Sequence, residues 1–383
     1  MDFRLTDEQR QIQEMVREFA LSEIKPHLME WDEAQHFPTE VFKRAGGLGM
    51  LGVTVPEEYG GAGLSYVDYV HVIEELGVVD SGFALSVAAH NSLGTGHIYL
   101  AGNEEQKKKW LPKLTSGEWI AAWGLTEPGS GSDASGMRTT AVKDGDEWVL
   151  NGTKNFITNA TYADIAVVLV VTDKSDQKHG ITAFAVEMDR PGIRPGKKEN
   201  KLGMRVSDTA ELVMEDCRVP SANILGEIGY GFIDAMKVLD GGRISIGALA
   251  VGIARGAYEA ARDYAKQRQA FGKSISDFQA IQFMLADMAT EIDASRLLCY
   301  RAATIKDAGE KVTQASAMAK LYASEVAVRA TEKGVQIFGG YGFIKDFPAE
   351  KYYRDVKLCT IGEGTSEIQR MVIARNLLAD GAR

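Results

Sequence analysis

Several residue patterns that common enzyme classes need are missing from this sequence of 383 residues. The three cysteines, Cys217, Cys299 and Cys359, are widely spaced without a CxxC pair, so we expect small core side chains in a reducing compartment and no thiolate metal cluster. The six histidines form no HExxH pair, and no GxSxG occurs. The sequence therefore predicts neither a metal site nor a serine nucleophile.

Long apolar runs and an excess of basic residues are also lacking. The longest apolar run, Ile165–Val171, is much shorter than the roughly 20 residues that a membrane-spanning helix needs. The N-terminus shows neither a signal-peptide core nor an Arg-rich transit pattern, so we expect a soluble protein of the cytoplasm, or a mature mitochondrial matrix form. The formal net charge of -10, with no basic stripe, argues against nucleic-acid binding.

The chain is too long for a single core, and its hydrophobic pattern changes twice. Helical spacing up to about residue 114 gives way to short β-rich runs such as Ile165–Val171, and long helical patterns return in 232–268, 277–306 and 313–338. We predict a mainly α chain with a central β domain. Its parts are an N-terminal helical domain (1–119), a β-barrel-like middle domain (120–230) and a C-terminal helical bundle (231–383).

One segment imitates a dinucleotide-binding motif. Residues 47–52 satisfy GxGxxG, but the preceding residues 39–45 have a helical pattern where that motif requires a strand. We therefore expect no such site here.

The most informative residue is Glu363, which lies between Gly362 and Gly364. Ser366 and Gln369 have the spacing of a capping box, which predicts that a helix starts at Ser366. The glycines permit a turn that brings the Glu363 carboxylate and amide close to a ligand. Taken alone, the pattern also suits an ordinary solvated loop.

The segment 361–370 resembles the catalytic-base segment of the acyl-CoA dehydrogenases. Further segments match that family in the same order, so the resemblance covers nearly the whole chain: 125–133, 151–159, 239–243, 268–272 and 336–340. It implies the fold of that family, with a four-helix bundle as the C-terminal domain.

The resemblance also implies an activity, the FAD-dependent α,β-dehydrogenation of a short- to medium-chain acyl-CoA to the trans-2-enoyl-CoA. Glu363 would remove the α-proton while FAD accepts the β-hydride, and burial would raise the pKa of Glu363. Electrons would pass to an electron-transferring flavoprotein. Some relatives carry the base at the position of Gly242, which has no carboxylate here, so Glu363 is favoured and the isovaleryl-type subgroup is disfavoured.

The resemblance assigns further residues to FAD and substrate. FAD contacts are implied for Leu125, Thr126, Phe156, Thr158, Thr365 and Glu367, and substrate contacts for Ser132, Asp240, Arg243 and Gly364. Contacts from a neighbouring subunit to the diphosphate and adenine of FAD are implied for Arg268, Phe271, Gln279, Gln336 and Gly340, which would make an oligomer obligatory, a homotetramer built as a dimer of dimers.

Plainer interpretations stay open for some of these residues. Asp240 and Arg243 also suit an ordinary i,i+3 pair on a helix, and Arg268 a solvated helix end. Phe156 would otherwise be a core residue of a strand. For the whole chain, a branched short-chain acyl-CoA dehydrogenase, an acyl-CoA oxidase and a non-catalytic acyl-CoA-binding relative are the alternatives, although oxidase chains are usually much longer.

Overall fold

The computed structural model describes residues 4–176 and 179–379, which begin with a layer of helices. Thr6 and Gln9 form a capping box at the first helix, whose apolar residues Ile12, Val16 and Phe19 are buried. The helices of this part are α1 Asp7–Phe19, α2 Leu28–Ala34, α3 Thr39–Gly47, α4 Tyr66–Val79, α5 Ser81–Ala89, α6 Gly96–Ala101 and α7 Glu104–Thr115. A single π-helical turn, His90–Thr95, joins α5 to α6.

An eight-stranded mixed sheet follows. Its strands are β1 Ala121–Gly124, β2 Thr140–Asp144, β3 Glu147–Thr158, β4 Ile165–Val171, β5 Ile181–Glu187, β6 Ile193–Lys198, β7 Thr209–Pro220 and β8 Ile224–Leu225. The order is β6-β7-β3-β2-β4-β5-β8, and β1 adds to β4 in parallel. Separate hydrophobic clusters cover its two faces; one contains Leu125, Leu169 and Leu239, and the other contains Trp148, Phe184 and Leu212. The central strands β4 and β5 are thus buried on both sides, whereas β2 and β6 have exposed residues.

Long helices make up the C-terminal part. They are α8 Gly231–Gln267, α9 Gln279–Asp307, α10 Thr313–Phe338, α11 Ala349–Asp355 and α12 Ser366–Leu378, with a two-stranded hairpin of β9 Gln269–Ala270 and β10 Lys273–Ser274 after α8. One continuous hydrophobic core joins α1, α4 and α5 to α8, α9 and α10. The N-terminal helices and the bundle therefore support each other, and α8 is the common element.

This architecture confirms the predicted fold class, a mainly helical chain with a central β domain. The segment that imitates a dinucleotide motif follows helix α3, as expected. All three cysteines are free and buried. The domain boundaries after residues 119 and 230 stay a prediction. In the described part of the chain, no helix is both long and apolar enough to cross a membrane.

Candidate active site

Glu363 lies in a strained turn immediately before α12. Its φ of 52° is in the left-handed region, which a residue with a side chain rarely adopts, and Gly364 follows with a φ of 91°. Such a conformation costs roughly 1 kcal/mol or more, so surrounding contacts must enforce it. The strain marks this turn as a candidate functional element.

Two side chains hold the turn by its carbonyl oxygens. The Gln369 side-chain amide donates to the carbonyls of Glu363 and Gly364 at 3.1 and 3.0 Å, and the Lys320 ammonium donates to the Gly364 carbonyl at 2.7 Å. The amide N–H of Glu363 has no hydrogen-bond partner among the described residues. The backbone acceptors of the turn are thus satisfied while one donor stays free.

The capping box predicted for Ser366 and Gln369 is wrong. The cap of α12 is Thr365, whose side-chain oxygen accepts a hydrogen bond from the Ile368 N–H at 3.3 Å. The Ser366 hydroxyl is buried with no partner in the described structure. The cap lies one residue earlier because the Gln369 side chain, the other half of the expected box, is engaged by the turn carbonyls.

The Glu363 carboxylate is poorly solvated and unpaired. Its Oε2 atom is buried and, among the described residues, has no hydrogen-bond partner. Burial raises the pKa of Glu363 to about 7, although the positive charges of Lys320 and Arg243 act in the opposite direction. The expected direction of this pKa shift is thereby confirmed. A carboxylate of this kind exchanges protons near neutral pH, as a general base must.

Helix α8 approaches this carboxylate at Gly242. A Cβ atom placed on Gly242 would lie 2.0 Å from Glu363 Oε2, and 3.3 Å from a methyl carbon of Leu93 in the π-helical turn. Any side chain at position 242 would therefore displace the carboxylate. The two positions at which family members are expected to carry the base thus meet at one point in space.

Asp240 and Arg243 lie on the same helix and form the i,i+3 pair, with 2.7 Å between Asp240 Oδ1 and an Arg243 nitrogen. The other Asp240 oxygen accepts a hydrogen bond from Thr313 at 2.6 Å, which links α8 to α10. Arg243 is buried, and its Nε has no partner in the described structure. The pair thus leaves one donor available, and the predicted contact with coenzyme A stays a prediction.

A second group of predicted site residues lies in the loop after β1 and at the end of β3. The Asn155 N–H donates to the Thr126 carbonyl at 2.8 Å, which places Phe156 beside Thr126. Phe156 has a φ of 58° and is 63% exposed, so its interpretation as a core residue is wrong. Leu125 is buried, Ser132 is exposed, and Thr158 pairs with Thr209 on β7. The group presents an exposed aromatic ring next to hydroxyl side chains.

A buried ion pair fixes the loop of this second group. Lys154 Nζ, fully buried, lies 2.7 Å from Glu127 Oε1 and 3.2 Å from the Leu125 carbonyl. Glu127 also accepts hydrogen bonds from the backbone N–H groups of Arg138 and Thr139. The pair connects the start and end of residues 125–139 to β3, and thus sets the position of the loop.

The third group lies at the far end of the bundle. Arg268 and Gly340 line a cavity of about 450 Å³, with Tyr264, Ile337, Phe338 and Tyr341 among the other lining residues. Phe271 is 95% exposed with a φ of 52°, and Gln279 and Gln336 are exposed nearby in the sequence. An arginine beside open glycine backbone suits a phosphate group.

The residues around the Glu363 turn, including Arg243 and Lys320, form the first group, and they are far from the third group within one chain. Gln336 follows Lys320 by 16 residues on α10, and Arg268, the residue immediately after α8, follows Arg243 by 25 residues. At about 1.5 Å per helical residue, these separations are about 24 and about 37 Å. The second group lies closer to the first, because Leu125 and Leu239 share one hydrophobic cluster.

Lys320, which contacts the Glu363 turn at the Gly364 carbonyl, is the residue that sequence reasoning missed. It lies among small buried residues of α10, including Ala317, Ala319 and Ala323. A lysine in an alanine-rich helix is ordinarily a surface residue, so nothing local indicates its burial. Its i,i±3 spacing from Ala317 and Ala323, which places the three residues on one helical face, was the one available signal.

Three family models match successive parts of the chain. Models described as the N-terminal, middle and C-terminal domains of acyl-CoA dehydrogenase match residues 6–118, 122–217 and 229–378. Together they cover most of the sequence.

Individual relatives match over almost their full length. The short-chain specific acyl-CoA dehydrogenase of Clostridium acetobutylicum is 48% identical over 98% of this chain and 99% of its own. The structure of butyryl-CoA dehydrogenase from Megasphaera elsdenii is 45% identical, with a TM-score of 0.97 over 99% of this chain and 100% of its own. A chain from a structure described as the electron transferring flavoprotein of Acidaminococcus fermentans is 49% identical, with a TM-score of 0.98 and the same coverage.

Proposed function

Because the chain belongs to the acyl-CoA dehydrogenase family, we propose that it oxidises a short- to medium-chain acyl-CoA thioester to the trans-2-enoyl-CoA, with Glu363 as the base. The observation that carries this proposal is the Glu363 carboxylate itself. Its Oε2 atom is buried and unpaired beside Gly242 in the described structure, and its pKa is raised to about 7. No structural role explains an acid held in this way.

The turn supplies what removal of an α-proton requires. The Glu363 carboxylate accepts the proton from the carbon next to the thioester carbonyl. The free N–H of Glu363 donates to the thioester oxygen and stabilises the negative charge that develops there. Gln369 and Lys320 keep the neighbouring carbonyls turned away from that oxygen, because both carbonyls are already engaged.

The cofactor is FAD, and it supplies the acceptor for the hydride that leaves the β-carbon. Buried polar atoms without partners in the described structure, Glu363 Oε2, Arg243 Nε and Gln369 Oε1, surround the turn and fit a site completed by ligands. We propose that Thr126, Phe156 and Thr158 hold the flavin ring, with Leu125, Thr365 and Glu367 near it. Ser132, Asp240, Arg243 and Gly364 are proposed to contact the substrate.

We propose a homotetramer in which Arg268, Phe271, Gln279, Gln336 and Gly340 hold the FAD of a neighbouring subunit. Their distance from Glu363 along α8 and α10 and the exposure of Phe271 support this arrangement. The proposed electron acceptor is an electron-transferring flavoprotein, which appears in the description of the 49% identical chain. The cellular compartment stays a prediction.

Replacing Glu363 by Gln tests the proposal directly. We expect Glu363→Gln to purify with bound FAD but to lose bleaching of the flavin by butyryl-CoA without oxygen, by at least about 10³-fold in rate, because the base is gone. Stopped-flow absorbance of the flavin measures this. Glu105→Gln on α7 removes an exposed carboxylate that is not among the proposed site residues, so it serves as the control and should keep most of the bleaching rate.

The alternative functions would give different results when the flavin is followed in the same way. Rapid bleaching of Glu363→Gln would contradict the base assignment. A protein that binds FAD yet ignores acyl-CoA thioesters would be a non-catalytic relative. Reduced flavin that oxygen reoxidises faster than an electron-transferring flavoprotein would identify an oxidase.

A further inference from the structure

The buried lysines of this chain differ in their partners. Lys154 contacts Glu127 at 2.7 Å, and Lys351 contacts Asp80 and Asp355 at 2.9 and 2.6 Å. Lys320 is equally buried, but in the described structure no carboxylate lies within ion-pairing distance of it. Its one hydrogen bond goes to the Gly364 carbonyl at 2.7 Å. Burial of an ammonium costs several kcal/mol unless nearby groups compensate, so this placement requires an explanation.

The charged and titratable groups around Lys320 come from several elements. Burial lowers the pKa of Lys320 to about 8, and Arg243 on α8 acts in the same direction, whereas Glu363 in the turn and Glu367 on α12 favour its charged form. The neighbouring Cys359 thiol is uncharged in this range, because burial raises its pKa to about 12. Glu363 is in turn stabilised in its ionised form by Lys320 and Arg243, and from α4 its charge reaches Tyr69. Arg243 is already paired with Asp240. Lys320 is therefore the cation in this cluster that is not neutralised by its own carboxylate.

We propose that Lys320 is a positioning residue for Glu363, holding the strained turn through the Gly364 carbonyl while its charge supports the ionised carboxylate without binding it. The inference deepens and rests on the proposed function of Glu363. A direct ion pair would occupy the carboxylate oxygens and weaken the base. The hydrogen bond to the Gly364 carbonyl instead places the Lys320 charge near the carboxylate and holds the backbone of the turn, and it leaves Glu363 Oε2 free.

Two substitutions separate the hydrogen bond from the charge. Lys320→Gln keeps a donor for the Gly364 carbonyl and removes the charge, whereas Lys320→Met removes both. Lys333→Met is the matched control, since Lys333 lies on the same helix 13 residues later, about 20 Å away, where it pairs with Asp287.

The first measurement is the titration of Glu363 itself in the FAD-loaded enzyme, by pH-difference infrared spectroscopy. The band of its protonated carboxyl is identified by its absence in Glu363→Gln. We expect the midpoint to lie near 7 in the unsubstituted enzyme and in Lys333→Met, and at clearly higher pH in both Lys320 variants, because a nearby cation has been lost. An unchanged midpoint in Lys320→Gln would overturn the inference, whatever happens to activity. If Lys320→Met does not fold, Lys320→Gln decides alone.

The second measurement is the rate of flavin reduction by butyryl-CoA between pH 5.5 and 9. At pH 6.5 the unsubstituted enzyme, with its midpoint near 7, should react about fourfold below its own high-pH plateau, and both variants should fall about fivefold or more further below theirs. The plateau of Lys320→Met should lie about tenfold below that of Lys320→Gln, since the turn loses its support. Equal plateaus would contradict the hydrogen-bonding role. An infrared midpoint that moves while the rate profile does not would support Lys320 and refute Glu363 as the base.

Discussion

Glu363 works against the stability of the protein that contains it. Its left-handed backbone and its unpaired, desolvated carboxylate both raise the free energy of the folded state. In the unfolded chain the same carboxyl has its ordinary pKa of about 4.5, whereas the folded protein raises it to about 7. Folding is therefore coupled to proton binding at this residue.

The sign of this coupling gives a prediction for stability. Between pH 4.5 and 7 the folded state binds the Glu363 proton more tightly than the unfolded state, so stability falls as pH rises through this interval. Glu363→Gln removes the effect. We expect the variant to be more stable than the unsubstituted protein at pH 8, by at most about 3 kcal/mol, and about equally stable at pH 4.5.

Thermal unfolding of both proteins at the two pH values, at equal FAD loading, measures this difference. The exposed Glu367 is the control, because its pKa is lowered and Glu367→Gln should bring no gain at pH 8. A stability difference for Glu363→Gln that is the same at both pH values would contradict the raised pKa.

Residues differ in how much the sequence reveals about them. Glu363 was identifiable because two glycines and a helix start are adjacent to it in the sequence, so the relevant contacts are local. The contacts of Lys320 and Gly242 with the turn join residues 44 and 121 positions apart, and no local pattern specifies them. Local chemistry was predictable, and the surroundings of the carboxylate were not.

At the scale of elements, the crossing of α4 and α8 determines how the N-terminal helices meet the bundle. A Cβ atom on Gly252 would lie 2.5 Å from the Glu74 carbonyl oxygen and 3.0 Å from Gly77 Cα. Both neighbours are backbone atoms, which cannot rotate away. The two helices are therefore as close as glycine permits, and Gly252 is required by packing.

Gly252→Ala should destabilise the protein by roughly 1–3 kcal/mol, because the added methyl group forces the two helices apart. Gly334→Ala is the control within α10, where the new methyl would meet Ala257 at an ordinary 3.5 Å. Since alanine favours helix over glycine by up to about 1 kcal/mol, the control should be neutral or slightly stabilising. Denaturant unfolding compares the two, and equal stabilities would refute the close crossing.

Regular elements followed from hydrophobic periodicity, since the observed β4 and α10 have the bounds that the sequence pattern indicated. The order of the strands did not, because β3 pairs with β7 and β1 with β4 across long stretches of sequence. The cap of α12 was predicted one residue late. The Gln369 side chain, which the predicted capping box required, instead donates to the carbonyl oxygens of Glu363 and Gly364, and the sequence does not indicate these acceptors.

At the scale of the whole molecule, the residues proposed for one FAD are divided between two ends of the bundle. Thr126 and Phe156 belong to the sheet side, whereas Arg268 and Gly340 line a cavity at the end of α8 and α10. The separation of about 24 to about 37 Å from the Glu363 turn is too long for one compact site. The proposed site therefore needs residues from two chains.

Mixed oligomers distinguish a shared site from a site within one chain. Arg268→Ala removes the proposed phosphate contact, and Glu363→Gln removes the base, so each variant alone should be inactive. When the two differently tagged variants are coexpressed, a mixed dimer carries one site with both defects and one with neither, because each chain lends its Arg268 to the other. Random pairing makes about half of the dimers mixed, so about a quarter of normal flavin bleaching should return.

Absence of activity in mixed oligomers isolated through both tags would show that Arg268 and Glu363 act within the same chain. Recovery of activity would show that they act from different chains, because the one intact site of a mixed dimer takes Glu363 from the Arg268→Ala chain and Arg268 from the Glu363→Gln chain. The cavity at Arg268 would then complete a site that the Glu363 turn begins, and the proposed dimer would be the smallest active unit.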